Sequence, residues 1–238
     1  MGQANTLNKG WKMSKGAFLG YLSADDELAS NAISRSLLHF DDTTIVTYCD
    51  FNLIDPQSRH IRRVQVPDFD YSVMFGQLVC PPGPGAFFRR SAFEATGGWD
   101  GKYRQIPDYE FWLRLGLIGS FRKIPEVLAS FRVHEDSQSF GIISLEKAIE
   151  PVQVISRFIQ LHTLPAELSR LENRAHANAW IMTARAHFRS HRYFFGISAL
   201  GYAFSYSPRV FFTWQIYRLL INSFVNRPFH RFIRMIHR

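Results

Sequence analysis

Cysteine is scarce in this chain of 238 residues: Cys49 and Cys80 are the only two. One pair cannot build a disulfide framework or a four-thiolate metal site, so a stapled scaffold is excluded and a reducing, cytoplasmic compartment is predicted. Long apolar runs are missing too. Residues 1–20 lack the apolar stretch of a secretion signal, and no uninterrupted run approaches the roughly 20 residues of a membrane-spanning helix. The sequence predicts neither a secreted nor an integral protein. No internal repeat is evident, and a charged fraction of 20% beside 46% hydrophobic residues excludes collagen, low-complexity disorder and coiled coil.

Acidic residues are almost absent from one region. From residue 151 onward there are 12 Arg, no Lys and only two acids, Glu167 and Glu172, a balance of +10. The preceding 150 residues carry 16 basic and 18 acidic side chains, or −2, so all the excess basicity lies in the C-terminal third. What the chain has in plenty is phenylalanine, 22 in all.

Residues 1–140 alternate short β-rich runs with helical stretches, the pattern of an α/β layer structure. Residues 2–15 read as a helix closed by Gly16, and 17–22 as a buried strand. The segment from Ala24 to Phe40 reads as a helix with acids at its front. Residues 44–51 and 61–66 read as strands around the turn 54–60. The loop CPPGPG (80–85) precedes a strand, a short helix and Gly97-Gly98. Residues 108–118 read as a helix, with FRKI and VLASFRV (127–133) as two closing strands. After Ser139 helical periodicity takes over, in segments near 143–162, 165–190, 191–206, 208–225 and 227–238. The expected organisation is an α/β region over 1–140 and a basic helical region over 141–238.

Three groups carry chemistry. Ser23-Ala24-Asp25-Asp26-Glu27 stands where strand 17–22 ends, and ligands of open α/β sheets bind at such strand ends. Adjacent carboxylates there suit a hard cation such as Mg²⁺ or Mn²⁺, which takes its other ligands from phosphate and water. They suit equally the capping of the following helix. Asp108, after Pro107 at a helix start, is either a cap or a carboxylate placed to accept a proton from a hydroxyl. Arg132 and His134 share a face at the end of the last strand, in reach of a diphosphate or a metal, although a single His is more often structural.

The order and surroundings of these groups resemble the family 2 glycosyltransferases of the GT-A fold. The resemblance rests on residues 2–28, VTYCDFNLID (46–55), PGPGAFFRRSAFEATGGWD (82–100), DYEFWLRL (108–115) and IPEVLASFRVHEDSQS (124–139). It implies a partial GT-A domain, a Rossmann-like mixed sheet, followed by an all-helical region. The implied reaction moves a sugar from a nucleotide diphosphate sugar to an acceptor hydroxyl, with inversion and a divalent metal. Asp25 and Asp26 match the metal-binding acids, with Ser23 where many members have the first Asp, and His134 matches a position near metal and diphosphate. Asp108 matches the general base, and Gly97 and Gly98 the glycines before the acceptor-site helix. Asn8 and Arg132 are the further substrate-binding candidates, with Arg89 and Arg90 either adding charge for the phosphates or lying solvated.

Members of that family normally carry a nucleotide-binding segment ahead of the part that opens here. The resemblance therefore predicts a transferase-like chain of doubtful independent activity, with an apolar edge left on strand 17–22. The alternative is a catalytically dead fragment acting as a membrane- or protein-binding module. In the helical region, Arg227, Arg231, Arg234 and Arg238 line one face of a segment whose other face holds Phe229, Phe232, Ile233 and Ile236. That pattern, with the aromatic runs 194–204 and 210–217, too short to span a bilayer but suited to its surface, points to contact with an anionic membrane through 207–238, with a self-packed bundle as the rival. Nucleic acid is disfavoured, because no aromatic and glycine motif of an RNA-binding sheet is present. A lipid-linked or other saccharide acceptor fits a membrane location.

Overall fold

The computed structural model describes residues 2–134 and 142–213, and the chain divides into two compact units. One comprises residues 1–74 and 79–141, and the other residues 75–78 and those from 142 onward.

The first unit holds helix α1 (Gln3–Met13), strands β1 (Phe18–Gly20) and β2 (Glu27–Leu28), helix α2 (Ala32–Leu37), and strands β3 (Thr44–Ile54) and β4 (His60–Val64). Helix α3 (Tyr71–Gln77) begins in it, and β5 (Phe87–Arg89), α4 (Arg90–Thr96), α5 (Pro107–Gly116) and β6 (Ser120–Arg132) complete it. The sheet is mixed, in the order β1-β5-β3-β6-β2, with β4 paired to β3. This is the α/β architecture that the alternating pattern implies.

At the centre, β3 and β6 run parallel from Thr44 opposite Ser120 to Ile54 opposite Arg132. Val46, Tyr48, Cys49 and Asp50 are all buried, as expected for a strand covered on both faces. The register shifts where Cys49 faces Ile124 and Asp50 faces Val127. Pro125 lies in that irregularity, where a missing N–H breaks no ladder bond. The two closing strands expected from the sequence are therefore one strand.

Other local expectations shift for tertiary reasons. Glu27 and Leu28 do not begin a helix; they pair with Ser130 and Ala129 of β6, and the helix shortens to α2. Strand 17–22 shrinks to β1, an edge strand that pairs antiparallel with β5. Trp11 of α1 is the centre of the aromatic core. Its ring meets Tyr21, Phe88, Phe93, Trp99 and Phe111, and its indole N–H donates to the Gly20 carbonyl at 2.9 Å. Many of the abundant Phe residues are spent in this way on the core.

The second unit is helical, with α6 (Leu145–Ala148), α7 (Glu150–Leu161), α8 (Ala166–Ser169), α9 (Glu172–Arg189), α10 (Tyr193–Tyr206) and a 3-10 turn, Pro208–Phe212. Asn178 of α9 donates to the Gly76 carbonyl at 2.8 Å, which ties residues 75–78 to these helices. The expected segment 227–238 and most of 208–225 lie outside the described residues.

Asp50 supports the outer arm of the sheet. Its buried carboxylate accepts from Arg63 Nη2 of β4 at 2.7 Å and from the Val66 amide at 3.1 Å, with Lys123 Nζ at 3.7 Å. Burial alone would raise this carboxyl, but the Arg63 and Val66 hydrogen bonds and the two cations outweigh it and hold it below its ordinary range. Such a group stabilises the fold above the unfolded pKa, about 3.9, and loses that contribution as pH falls further. Asp50→Asn should cost about 1–3 kcal/mol near neutral pH, with the deficit shrinking below about pH 4. Urea unfolding of both proteins across that range checks it.

Candidate active site

The acidic turn is assembled by β6. At the end of that strand the Arg132 amide donates to Asp26 Oδ1 at 3.0 Å. The Arg132 side chain then donates from Nε to the Asp25 carbonyl at 2.8 Å, from Nη1 to the Asp55 carbonyl at 2.8 Å and from Nη2 to Glu27 Oε1 at 2.6 Å. One residue thus joins the turn to the ends of β3 and β6. Arg132, expected to add charge at a diphosphate, is instead a positioning residue whose guanidinium is engaged with protein. Two positions on, His134 Nε2 donates to Asp25 Oδ2 at 2.8 Å, with both side chains partly exposed.

The two adjacent acids have different environments. Asp26 is pushed up to about 6, mainly by burial and further by Asp25, against hydrogen bonds from the Arg132 amide and the Ser23 hydroxyl. Ser23 thus supports Asp26 by donating to it. Asp25 presents its carboxylate beside His134.

Asp108 lies in the first turn of α5, after Pro107. Burial pushes its carboxyl up, while its own amide and that of Tyr109 pull it back. The link between Asp108 and the acidic turn is Tyr21, a residue that sequence reasoning passes over. Its phenol is raised by burial first, then by the charges of Asp108, Cys80 and Asp26. Both acids thus act on one side chain just beyond β1. The signal in the sequence is slight: an aromatic two positions before Ser23.

The glycine pair belongs to a clamp. Gly97 caps α4 with φ +83° and Gly98 follows with φ +79°, both left-handed. Asn8 Nδ2 donates to the Trp99 carbonyl at 2.7 Å, and the Trp99 amide donates to Asn8 Oδ1 at 3.0 Å. Arg114 of α5, paired with Glu110, donates to the carbonyls of Thr96 and Gly98. Asn8, expected at the substrate, has both ends of its amide on Trp99, whose ring packs on Tyr21 with centroids 5.0 Å apart. Arg89 and Arg90, both partly exposed, are likewise engaged with the protein. Arg89 donates to the carbonyls of Thr44 and Asp41, and Arg90 to the Gly16 carbonyl and Ser14 Oγ.

For a divalent cation, Asp25 and His134 are the donors of suitable type and exposure. Among the described residues no group of three or more His, Cys, Asp or Glu is arranged to hold a metal. The pair fits a cation that takes its remaining ligands from diphosphate and water, and Asp26 faces the Arg132 amide instead.

No family model matches the chain. It is 28% identical over 144 residues to an uncharacterized glycosyltransferase of Rickettsia typhi, covering 56% of this chain and 45% of that one. It is 24% identical over 149 residues to the hyaluronan synthase of Pasteurella multocida, covering 61% of this chain and 15% of the synthase. The chain thus spans less than half the length of these curated relatives. In structure it is similar to a mannosyltransferase from Pyrobaculum calidifontis solved in complex with GDP-Man and Mn²⁺. There the TM-score is 0.54 at 15% identity, over 98% of this chain and 63% of the other. The fold is that of a glycosyltransferase, as the motifs imply, and the sequence relatives bear the same name.

The clamp makes a graded prediction. A Cβ on Gly97 meets nothing within 4 Å, whereas one on Gly98 meets Asn8 Oδ1 and the Phe93 ring. Gly97→Ala should cost about 1 kcal/mol through φ alone, and Gly98→Ala about 1–3 kcal/mol more through the added contacts. Denaturant unfolding of the two variants reads the difference, and equal losses would contradict the clamp.

Proposed function

We propose that this chain, whose fold and sequence relatives are those of glycosyltransferases, takes part in transferring a sugar from a nucleotide diphosphate sugar to an acceptor hydroxyl, with inversion at the anomeric carbon. The observation that carries the reading is the pairing of His134 with Asp25 at 2.8 Å beside the end of β6, in a fold similar to that of a mannosyltransferase solved with GDP-Man and Mn²⁺. Asp108 and Asp26 both raise the Tyr21 phenol, after burial, which is consistent with their lying in one region.

In the proposed step the acceptor oxygen bonds to the anomeric carbon as the bond from that carbon to the diphosphate breaks. Asp108 accepts the hydroxyl proton, and its raised carboxyl brings it nearer the basicity that such a transfer needs. The electron pair leaves on the diphosphate. Asp25 and His134 would hold a divalent cation, Mg²⁺ or Mn²⁺, which when bound offsets charge on that leaving group. Arg132 keeps Asp25 in place through its carbonyl, and Ser23 and Arg132 keep Asp26 turned inward. Tyr21, on which the Asp108 charge acts, is held by its packing on Trp99. The acceptor is a saccharide, free or lipid-linked, and the low cysteine content supports action in the cytoplasm.

The test is acceptor-dependent release of nucleoside diphosphate from a panel of nucleotide diphosphate sugars with Mn²⁺ or Mg²⁺. Asp108→Asn should lower kcat by about 10²–10⁴ while calorimetric donor binding changes by less than about twofold. Failure of every donor to give acceptor-dependent release would overturn the reading. A separate measurement addresses the metal: Asp25→Asn should weaken Mn²⁺ binding, followed by electron paramagnetic resonance, about tenfold or more.

A further inference from the structure

Helix α10 buries its small residues and exposes its large ones. Gly196, Ala199 and Ala203 face α9, and a Cβ at Gly196 would run into the Phe188 ring. On the opposite face stand Phe194, Ile197 and Phe204, 78%, 65% and 55% exposed, joined at the helix start by Tyr193. Phe212, in the turn that follows, is 81% exposed. A helix that is apolar on every side is normally covered on every side, and single exposed apolar residues are ordinary where a continuous face is not.

Charge says what kind of partner suits this face. Glu172 is the last acid of the chain, and the 66 residues after it carry 10 Arg and no Lys, Asp or Glu. Arg209 follows α10 at an exposed position, while Arg192 before it donates to His187 Nδ1 and the Ile143 carbonyl, so the cation next to the aromatic stripe is Arg209. A second copy of the chain would set arginine against arginine. The chain's own residues 214–238 are equally free of acids and would do the same. An anionic partner is complementary, and one that is flat, apolar beneath and negatively charged above satisfies both the Phe face and Arg209.

We infer that α10 is a docking face for an anionic lipid bilayer, with Phe194, Ile197 and Phe204 entering the headgroup boundary and Arg209 meeting the lipid phosphates. With 14 residues, α10 is about 21 Å long. Among the described residues no helix is long and apolar enough to cross a membrane. The helix therefore lies along the surface. This places the contact on 193–206, upstream of the 207–238 segment singled out by its arginine periodicity, and it does not depend on catalysis.

The full chain is to be sedimented with vesicles of phosphatidylglycerol and phosphatidylcholine, and with phosphatidylcholine alone. Binding is expected to the anionic vesicles. It should fall about tenfold or more in the triple variant Phe194→Ser, Ile197→Ser, Phe204→Ser, whose circular dichroism and melting should match the parent. Phe194→Trp gives a second readout: brominated lipids should quench its fluorescence beyond the quenching of the parent protein. The inference is overturned by vesicle binding that survives the triple variant but is lost in Arg227→Ser, Arg231→Ser, Arg234→Ser. It is overturned equally by a dimer in ultracentrifugation that the triple variant dissociates without vesicle binding, or by absence of excess quenching at position 194.

Discussion

The hydrogen bonds of Arg132 are the constraint on which the candidate site rests. A guanidinium in this position can satisfy several carbonyls and a carboxylate at once because its N–H groups diverge in one plane. Here it spans the carbonyls of Asp25 and Asp55 and the carboxylate of Glu27, while its own amide holds Asp26. Without it, the acidic turn would be joined to the central strands mainly by the two residue pairs between β2 and β6. The same contacts remove Arg132 from the pool of free cations. A conspicuous arginine at a strand end thus serves the geometry of its neighbours, among them Asp25, whose carboxylate pairs with His134.

A second support is aromatic. Trp11 gathers Tyr21, Phe88, Phe93, Trp99 and Phe111 from five other segments of the first unit, four edge-to-face and Phe111 stacked, and such contacts give fixed ring geometry beyond simple area burial. Through Trp99 and Tyr21 this core reaches the space near Asp108. The Asn8 and Arg114 clamps then hold the left-handed turn that delivers Trp99. Core and site are continuous in this unit, so the abundance of phenylalanine and tryptophan has a bearing on chemistry as well as on stability.

The second unit uses its aromatics differently. In α10 they point outward while glycine and alanine form the packed seam with α9. Small residues allow close helix approach, and the large residues are then left for something outside the unit. The sequence beyond Glu172 has no carboxylate, so the exposed aromatics of α10 have only neutral and basic residues after them in the chain.

Much of the architecture is legible in the sequence because it depends on local periodicity. The buried run of β3, the hairpin to β4, the proline-led α5 and the change to helices after residue 140 all follow from patterns within a dozen residues. The positions of Asp25, Asp26, Asp108 and His134 at strand and helix ends are legible too, while the roles proposed for them are not. Tertiary structure decided the rest. Glu27 and Leu28 left their helical pattern because Ser130 and Ala129 offered a strand partner a hundred residues away. Asn8, Arg89, Arg90 and Arg132 look like ligand-binding side chains until the carbonyls that they satisfy are placed beside them. Tyr21 feels the charges of both Asp108 and Asp26 only in the folded chain, because 87 residues separate it from Asp108. A sequence states which groups are charged, polar or apolar; which of them are already paired depends on contacts that it does not order.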